Sequence, residues 1–126
     1  MRLTLLIGIG GFIGAIARYL VSGWMQSLAT WFPLGTLTVN LVGSFILGVV
    51  MHLSEYQGFL NEETRVFLTI GILGAFTTMS TFSYESFKLL EQDQLVALIL
   101  NITGTVFLTL FAIYSGKIIA LNLAGV

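Results

Sequence analysis

The chain has 126 residues, 56% hydrophobic and 9% charged, with a net charge of −1. Its mean hydropathy is +0.98, whereas an ordinary soluble domain carries about 25% charged residues, so a soluble fold is excluded and a polytopic membrane protein is expected. The charge balance has no basic run, which argues against nucleic acid, and the lack of cysteine removes disulfides and thiolate metal sites.

A transmembrane helix takes about 20 residues, so four spans use roughly 80 to 90 and leave only short loops. The expectation is a single all-α membrane domain over 1–126 with spans near 3–23, 34–53, 65–90 and 95–119. The first apolar run continues past Gly23 with no clear cleavage pattern and reads as a retained span. It carries Gly8, Gly10, Gly11 and Gly14. Gly10 and Gly14 form a GxxxG pair, which reads as a close helix contact. Arg18 follows at helical spacing. An arginine there either faces protein or water, or snorkels to the interface. Trp24 and Trp31 mark an interfacial loop, and Pro33, the single proline, precedes the second span.

In the second span Thr36, Asn40 and Ser44 recur at i, i+4 and i+8 beside Gly43, which makes one face polar and small. Asn40 reads first as an interhelical hydrogen bond and second as a donor aimed at an anion. His52 has no second histidine or cysteine near it, so it reads as interfacial rather than as a metal ligand. Glu62 and Glu63 suit the start of the next helix.

The third span holds the most unusual stretch, Gly74-Ala75-Phe76-Thr77-Thr78-Met79-Ser80-Thr81-Phe82-Ser83. A run this rich in Gly, Ser and Thr favours a helix break, which is tolerated at membrane depth only inside protein or beside a water-filled cavity. The other reading is an unbroken helix whose hydroxyls bond back to carbonyls. After a short turn, the fourth span carries a polar and small track through Asn101, Thr105, Thr109, Ala112 and Gly116.

Four spans place both termini on one side, with Arg2, Arg65 and Lys117 there and Lys88 opposite. The positive-inside bias is therefore weak. Such a chain can insert both ways, and two copies can meet antiparallel. The lining offers donors and aromatic rings but few acids. A ring edge is electropositive, and an anion leaving water needs replacement donors, so the inventory suits a small anion. Nothing matches a hydrolase triad, paired carboxylates or a phosphate loop, so an enzyme is not expected.

Three motifs in order, Gly11-xx-Gly14-xxx-Arg18-Tyr19, Gly35-Thr36-Leu37-xx-Asn40-xx-Gly43-Ser44-xxx-Gly48 and Gly71-xx-Gly74 through Ser83, closely resemble the Fluc (CrcB-type) fluoride channels. The resemblance implies a dual-topology antiparallel homodimer with two fluoride pores, multi-pass in the inner (plasma) membrane, that lets cytoplasmic fluoride leak out. It further implies a central Na+ held by the backbone carbonyls of Gly74 and Thr77 where the third helix breaks. Asn40 matches the family's pore asparagine and Phe82 the second of its two pore phenylalanines. Ser80, Thr81 and Ser83 fall near the polar track, and Arg18 and Glu85 match charged positions near the vestibules. One position departs. Met79 stands where the family has its first pore phenylalanine, keeping bulk and polarizability but lacking the positive ring edge. The alternative is a proton-coupled small multidrug transporter of similar size and topology, which should carry a glutamate deep in the first span. Here the charge inside that span is Arg18.

Overall fold

The computed structural model describes residues 1–125, and Val126, the last residue of the expected domain, lies outside the described residues. Every element is helical, with no strand among the described residues. In chain order these are α1 (Arg2–Gln26), α2 (Leu34–Gln57), α3 (Glu62–Val66), a π-helical segment (Phe67–Leu73), α4 (Gly74–Phe76), α5 (Met79–Glu91) and α6 (Leu95–Leu123). Four stretches are long and apolar enough to cross a membrane: Arg2–Gln26, Leu34–Tyr56, Glu62–Glu91 and Leu95–Leu123. The chain is thus a multi-pass, all-α membrane protein, as its composition requires.

Local chemistry explains where the spans end. Pro33 precedes α2, and α2 stops at Gly58, whose φ of 60° is the left-handed conformation that glycine adopts without strain. The third span opens at Glu62, three residues before the expected Arg65, because Asn61 caps it. The Asn61 side chain accepts from the Thr64 N–H at 2.8 Å, and Glu62 and Glu63 occupy the first turn. Arg2 pairs with Glu63 at 3.1 Å, which sets the N-terminus beside the α2–α3 connection, at one end of the bundle. The pair is solvent-facing and contributes little stability.

Packing is led by α2 against α6 and by α1 against the π segment. Both contacts depend on glycine. A Cβ on Gly10 would lie 2.9 Å from Gly71 Cα and from the Phe67 carbonyl, and one on Gly14 would run into the Ile72 carbonyl. The GxxxG expectation therefore holds for Gly10 and Gly14, and their partner is the third span. The outward sides of these helices are apolar, with Leu5, Ile9, Phe12 and Ile16 exposed on α1 and Val106, Phe107, Leu110 and Phe111 on α6. Trp24 and Trp31 are exposed near the first connection, as interfacial residues should be. His52 Nδ1 donates to its own helix, to the Gly48 carbonyl at 2.7 Å, and stacks on Tyr56.

Only the third span is interrupted. It begins as α-helix, widens into π-helix where Gly71 meets Gly10, completes one more turn to Phe76, and breaks at Thr77 and Thr78. Both residues are extended, Thr77 at φ −84°, ψ 158° and Thr78 at φ −152°, ψ 119°. The chain then resumes as α5. The break expected from the Gly/Ser/Thr run is present. The π segment had no counterpart in the sequence reading.

Candidate functional site

The break frees specific backbone groups, and the neighbouring helices take them up. In a continuous helix the Thr78 N–H would bond to the Gly74 carbonyl. Here it donates to Asn40 Oδ1 at 2.8 Å, while Asn40 Nδ2 donates to the Thr78 carbonyl at 3.1 Å. One amide side chain thus grips both sides of one residue's backbone. Likewise the Thr81 N–H, which would have served the Thr77 carbonyl, donates to Thr78 Oγ1 at 3.2 Å and caps α5. The Thr77 carbonyl instead accepts from Arg18 Nη1 at 3.3 Å. Thr77 itself closes the upstream half, its N–H and its hydroxyl both donating to the Leu73 carbonyl at 3.0 Å.

This settles two open readings. Asn40 makes the interhelical hydrogen bond, and one of its two N–H donors goes to Thr78. Arg18 faces protein rather than snorkelling, and it is half-buried. The Thr36–Asn40–Ser44 track also acts as one face. Thr36 donates to Glu85 Oε1 at 2.9 Å, Asn40 holds Thr78, and Ser44 lines the same cleft as Asn40.

Two clefts meet at the break. One, about 320 Å³, is bordered by Asn40, Ser44, Gly74, Thr77, Met79 and Thr109. The other, about 250 Å³, is bordered by Arg18, Tyr19, Ser22, Thr36 and Thr81. Thr78 lines both. An adjoining hollow carries the second cleft on past Gln26 to Glu85, whose Oε2 is buried without a partner. Arg18 and Glu85 are not within ion-pair distance, so the cation's partner is a carbonyl dipole.

The structure gathers most of the sequence-predicted site residues here. Gly74, Thr77, Asn40 and Met79 share the first cleft, and Thr81, Arg18 and Glu85 border the second or its extension. Ser80 joins through its hydroxyl, 3.3 Å from Thr78 Oγ1. Met79, the first residue of α5, is 72% exposed. Ser83 is exposed and borders neither cleft. Phe82 is buried in the protomer and borders neither. On the fourth span Asn101 is 1% exposed and donates to Ser86 at 3.0 Å, so it ties α5 to α6, whereas Thr105 and Thr109 reach the first cleft. Sequence reasoning missed the central part of Thr78, which caps α5, offers its peptide to Asn40 and divides the clefts. Its place between Thr77 and a helix start was the one available signal.

A cation held here would be held by neutral oxygen, from the backbone or from the amide and hydroxyl side chains of the first cleft. Among the described residues no group of three or more His, Asp or Glu side chains could ligate a metal. The break takes their helical donors from the carbonyls of Gly74, Ala75, Phe76 and Thr77. Oxygen is the donor type that hard cations take. Gly74 presents no side chain over its carbonyl, and a Cβ there would meet only Thr69 O, at 3.6 Å. The Thr77 carbonyl keeps a second lone pair beside its bond to Arg18.

The family model described as CrcB-like protein, Camphor Resistance (CrcB), matches residues 5–117. Among curated relatives, Fluoride-specific ion channel FluC 1 of Methanosarcina acetivorans is 66% identical over 125 residues, covering 99% of this chain and 95% of the relative. Fluoride-specific ion channel FluC of Geobacter sulfurreducens is 43% identical over 124 residues, 98% of this chain and all of the relative. The protein of the same name from Methanocaldococcus jannaschii is 46% identical over 121 residues, 96% of each chain. These relatives are named as channels, a non-enzyme class, and they do not favour the multidrug-transporter alternative. With the family model spanning all four membrane helices and relatives matching nearly end to end, the chain belongs to the CrcB-like family.

Proposed function

We propose that this chain is a fluoride-selective channel that lowers cytoplasmic fluoride by passive efflux across the plasma membrane. The working unit is an antiparallel homodimer with two pores. The observation that carries the reading is the helix break, an acid-poor, donor-rich cleft system set into an otherwise apolar bundle. Fluoride leaving water must exchange its hydration shell for protein donors. The free N–H of Asn40 and the hydroxyls of Ser80, Thr81 and Ser83 are of that type. Met79 forms an apolar wall at the first cleft, and the resemblance assigns Phe82, one helical turn on, to the same wall, although within one protomer it is buried away from both clefts. Arg18 and Glu85 stand at the vestibule. The relatives' printed names carry the choice of fluoride over other anions.

Polar exposure supports the dimer. Ser80, Thr81 and Ser83 are exposed on a membrane span, and Met79 projects from the open cleft. Lipid offers no hydrogen bonds, so polar groups at this depth call for a protein cover. A second copy in opposite orientation is the cover that weak charge bias permits. Na+ fits the carbonyls of Gly74 and Thr77 in donor type. When bound, it supplies a fixed positive charge at the break. The chain's own residues present those carbonyls, orient Asn40 and exclude bulk water.

The test is fluoride efflux from reconstituted liposomes, followed with a fluoride electrode. Selective flux above protein-free vesicles is expected. No flux from this chain or from its Met79→Phe version would refute the channel reading.

A further inference from the structure

The geometry points to Arg18 as a positioning residue for the helix break, acting through the Thr77 carbonyl rather than as a vestibule charge alone. The carbonyl end of an interrupted helix carries partial negative charge, which a nearby cation stabilises. The Thr77 carbonyl is such an end, since its helical donor, the Thr81 N–H, is committed to Thr78 Oγ1. Arg18 reaches it from another helix, 59 positions away in sequence. No carboxylate pairs with Arg18 among the described residues, and Glu85 accepts from Thr36 instead. A guanidinium inside a span is costly unless satisfied, and the carbonyl satisfies it.

Register brings the two residues together. Gly14 lies one turn before Arg18 and lets α1 press onto the third span, where a Cβ on it would run into the Ile72 carbonyl and lie 3.1 Å from Ala75 Cβ. One turn on, the same face of α1 delivers Arg18 to Thr77. Asn40, from α2, grips the next residue, Thr78, through both its N–H and its carbonyl. Two successive residues of the break are therefore held from two different helices. Arg18 sets the direction of the Thr77 carbonyl and, through the shared backbone, the position of Thr78 between the two clefts.

The flux part of the test rests on the channel reading above, and the backbone part does not. The full-length protein and its Arg18→Lys, Arg18→Gln and Arg18→Met variants are reconstituted in nanodiscs for amide hydrogen exchange over residues 77–81, and in liposomes for fluoride flux across a range of fluoride concentrations. Arg18→Met removes charge and donor. It is expected to speed exchange at Thr78 and Thr81 by about tenfold or more, the factor that a charge-assisted hydrogen bond is worth. Maximal flux should fall alongside, with no recovery at high fluoride. Arg18→Lys keeps the charge and one donor and is expected to restore most of both. Exchange at wild-type rates in Arg18→Met, with a flux deficit that high fluoride abolishes, would overturn the proposal in favour of simple anion attraction. If Arg18→Met is not recovered folded, Arg18→Gln is judged by the same two criteria. Absence of fluoride flux from both the wild-type chain and its Met79→Phe version would sink the channel reading, and the exchange data would still decide the part played by Arg18.

Discussion

Asn40→Asp isolates the most informative side chain in the site. The new carboxylate is nearly isosteric. One oxygen can still accept from the Thr78 N–H, as Asn40 Oδ1 does at 2.8 Å. The other replaces Nδ2 and faces the Thr78 carbonyl, which now receives from Nδ2 at 3.1 Å. A hydrogen bond worth about 0.5–1.5 kcal/mol becomes a contact between two acceptors. The second effect is larger. A negative charge about 5 Å from a passing anion, at an effective dielectric near 20, repels it by about 3 kcal/mol. That corresponds to a fall in occupancy of roughly 100-fold or more at 25 °C. Asn40→Leu separates the two effects, because it breaks the clamp on Thr78 without adding charge. The assay is liposome fluoride efflux, with the elution profile in detergent as a check on folding. Asn40→Asp should lose at least about tenfold more flux than Asn40→Leu, given the dominance of the charge term. Equal flux in Asn40→Asp and wild type would remove Asn40 from the ion path, and equal losses in the two variants would reduce its role to holding the break.

Four further outcomes follow from the same geometry. Met79→Phe restores a ring with an electropositive edge at the open cleft, and flux should rise relative to the native chain, since a ring edge meets an anion better than a thioether does; lower flux in liposomes would show that methionine is the better wall here. Gly14→Ala puts a Cβ against the Ile72 carbonyl and should cost about 1–3 kcal/mol, as overpacking does, read as a lower thermal midpoint in detergent, whereas Gly11→Ala should be neutral because a Cβ there meets nothing within 4 Å. Replacing Na+ by a bulky organic cation should suppress flux if the Gly74 and Thr77 carbonyls hold a cation; flux indifferent to Na+ at every concentration would discard that assignment. For the dimer, single-cysteine copies crosslinked at the open cleft should trap antiparallel pairs, and exclusively parallel pairs would refute the proposed assembly.

Much of the site was legible because membrane helices leave polar residues few uses. A hydroxyl-rich run in the middle of a 30-residue span cannot face lipid, so the stretch from Gly74 to Ser83 announced a break. The i, i+4, i+8 spacing of Thr36, Asn40 and Ser44 placed them on one face, and all three meet the site. The π segment was not legible. Its wider turns arise where the third span accommodates Gly10 of α1 at Gly71, a contact between residues 61 positions apart that local propensity does not encode. Phe82 was placed with the pore by resemblance, but within one protomer it is buried away from both clefts.

The amino-acid sequence by itself determined the class, the number of spans and the location of the break. Each depends on composition and on short-range periodicity: enough apolar residues to cross a bilayer four times, and too many hydroxyls at one place to stay helical there. What only tertiary structure decided is where the freed backbone groups go. That Asn40 holds Thr78 by both sides, that Arg18 takes the Thr77 carbonyl, and that Glu85 is held by Thr36 depend on three helices meeting at one depth and rotation. The glycines that bring α1 onto the third span set that meeting. The resulting partners lie 38 to 59 residues apart, a separation at which a sequence can name the donors and acceptors but not pair them.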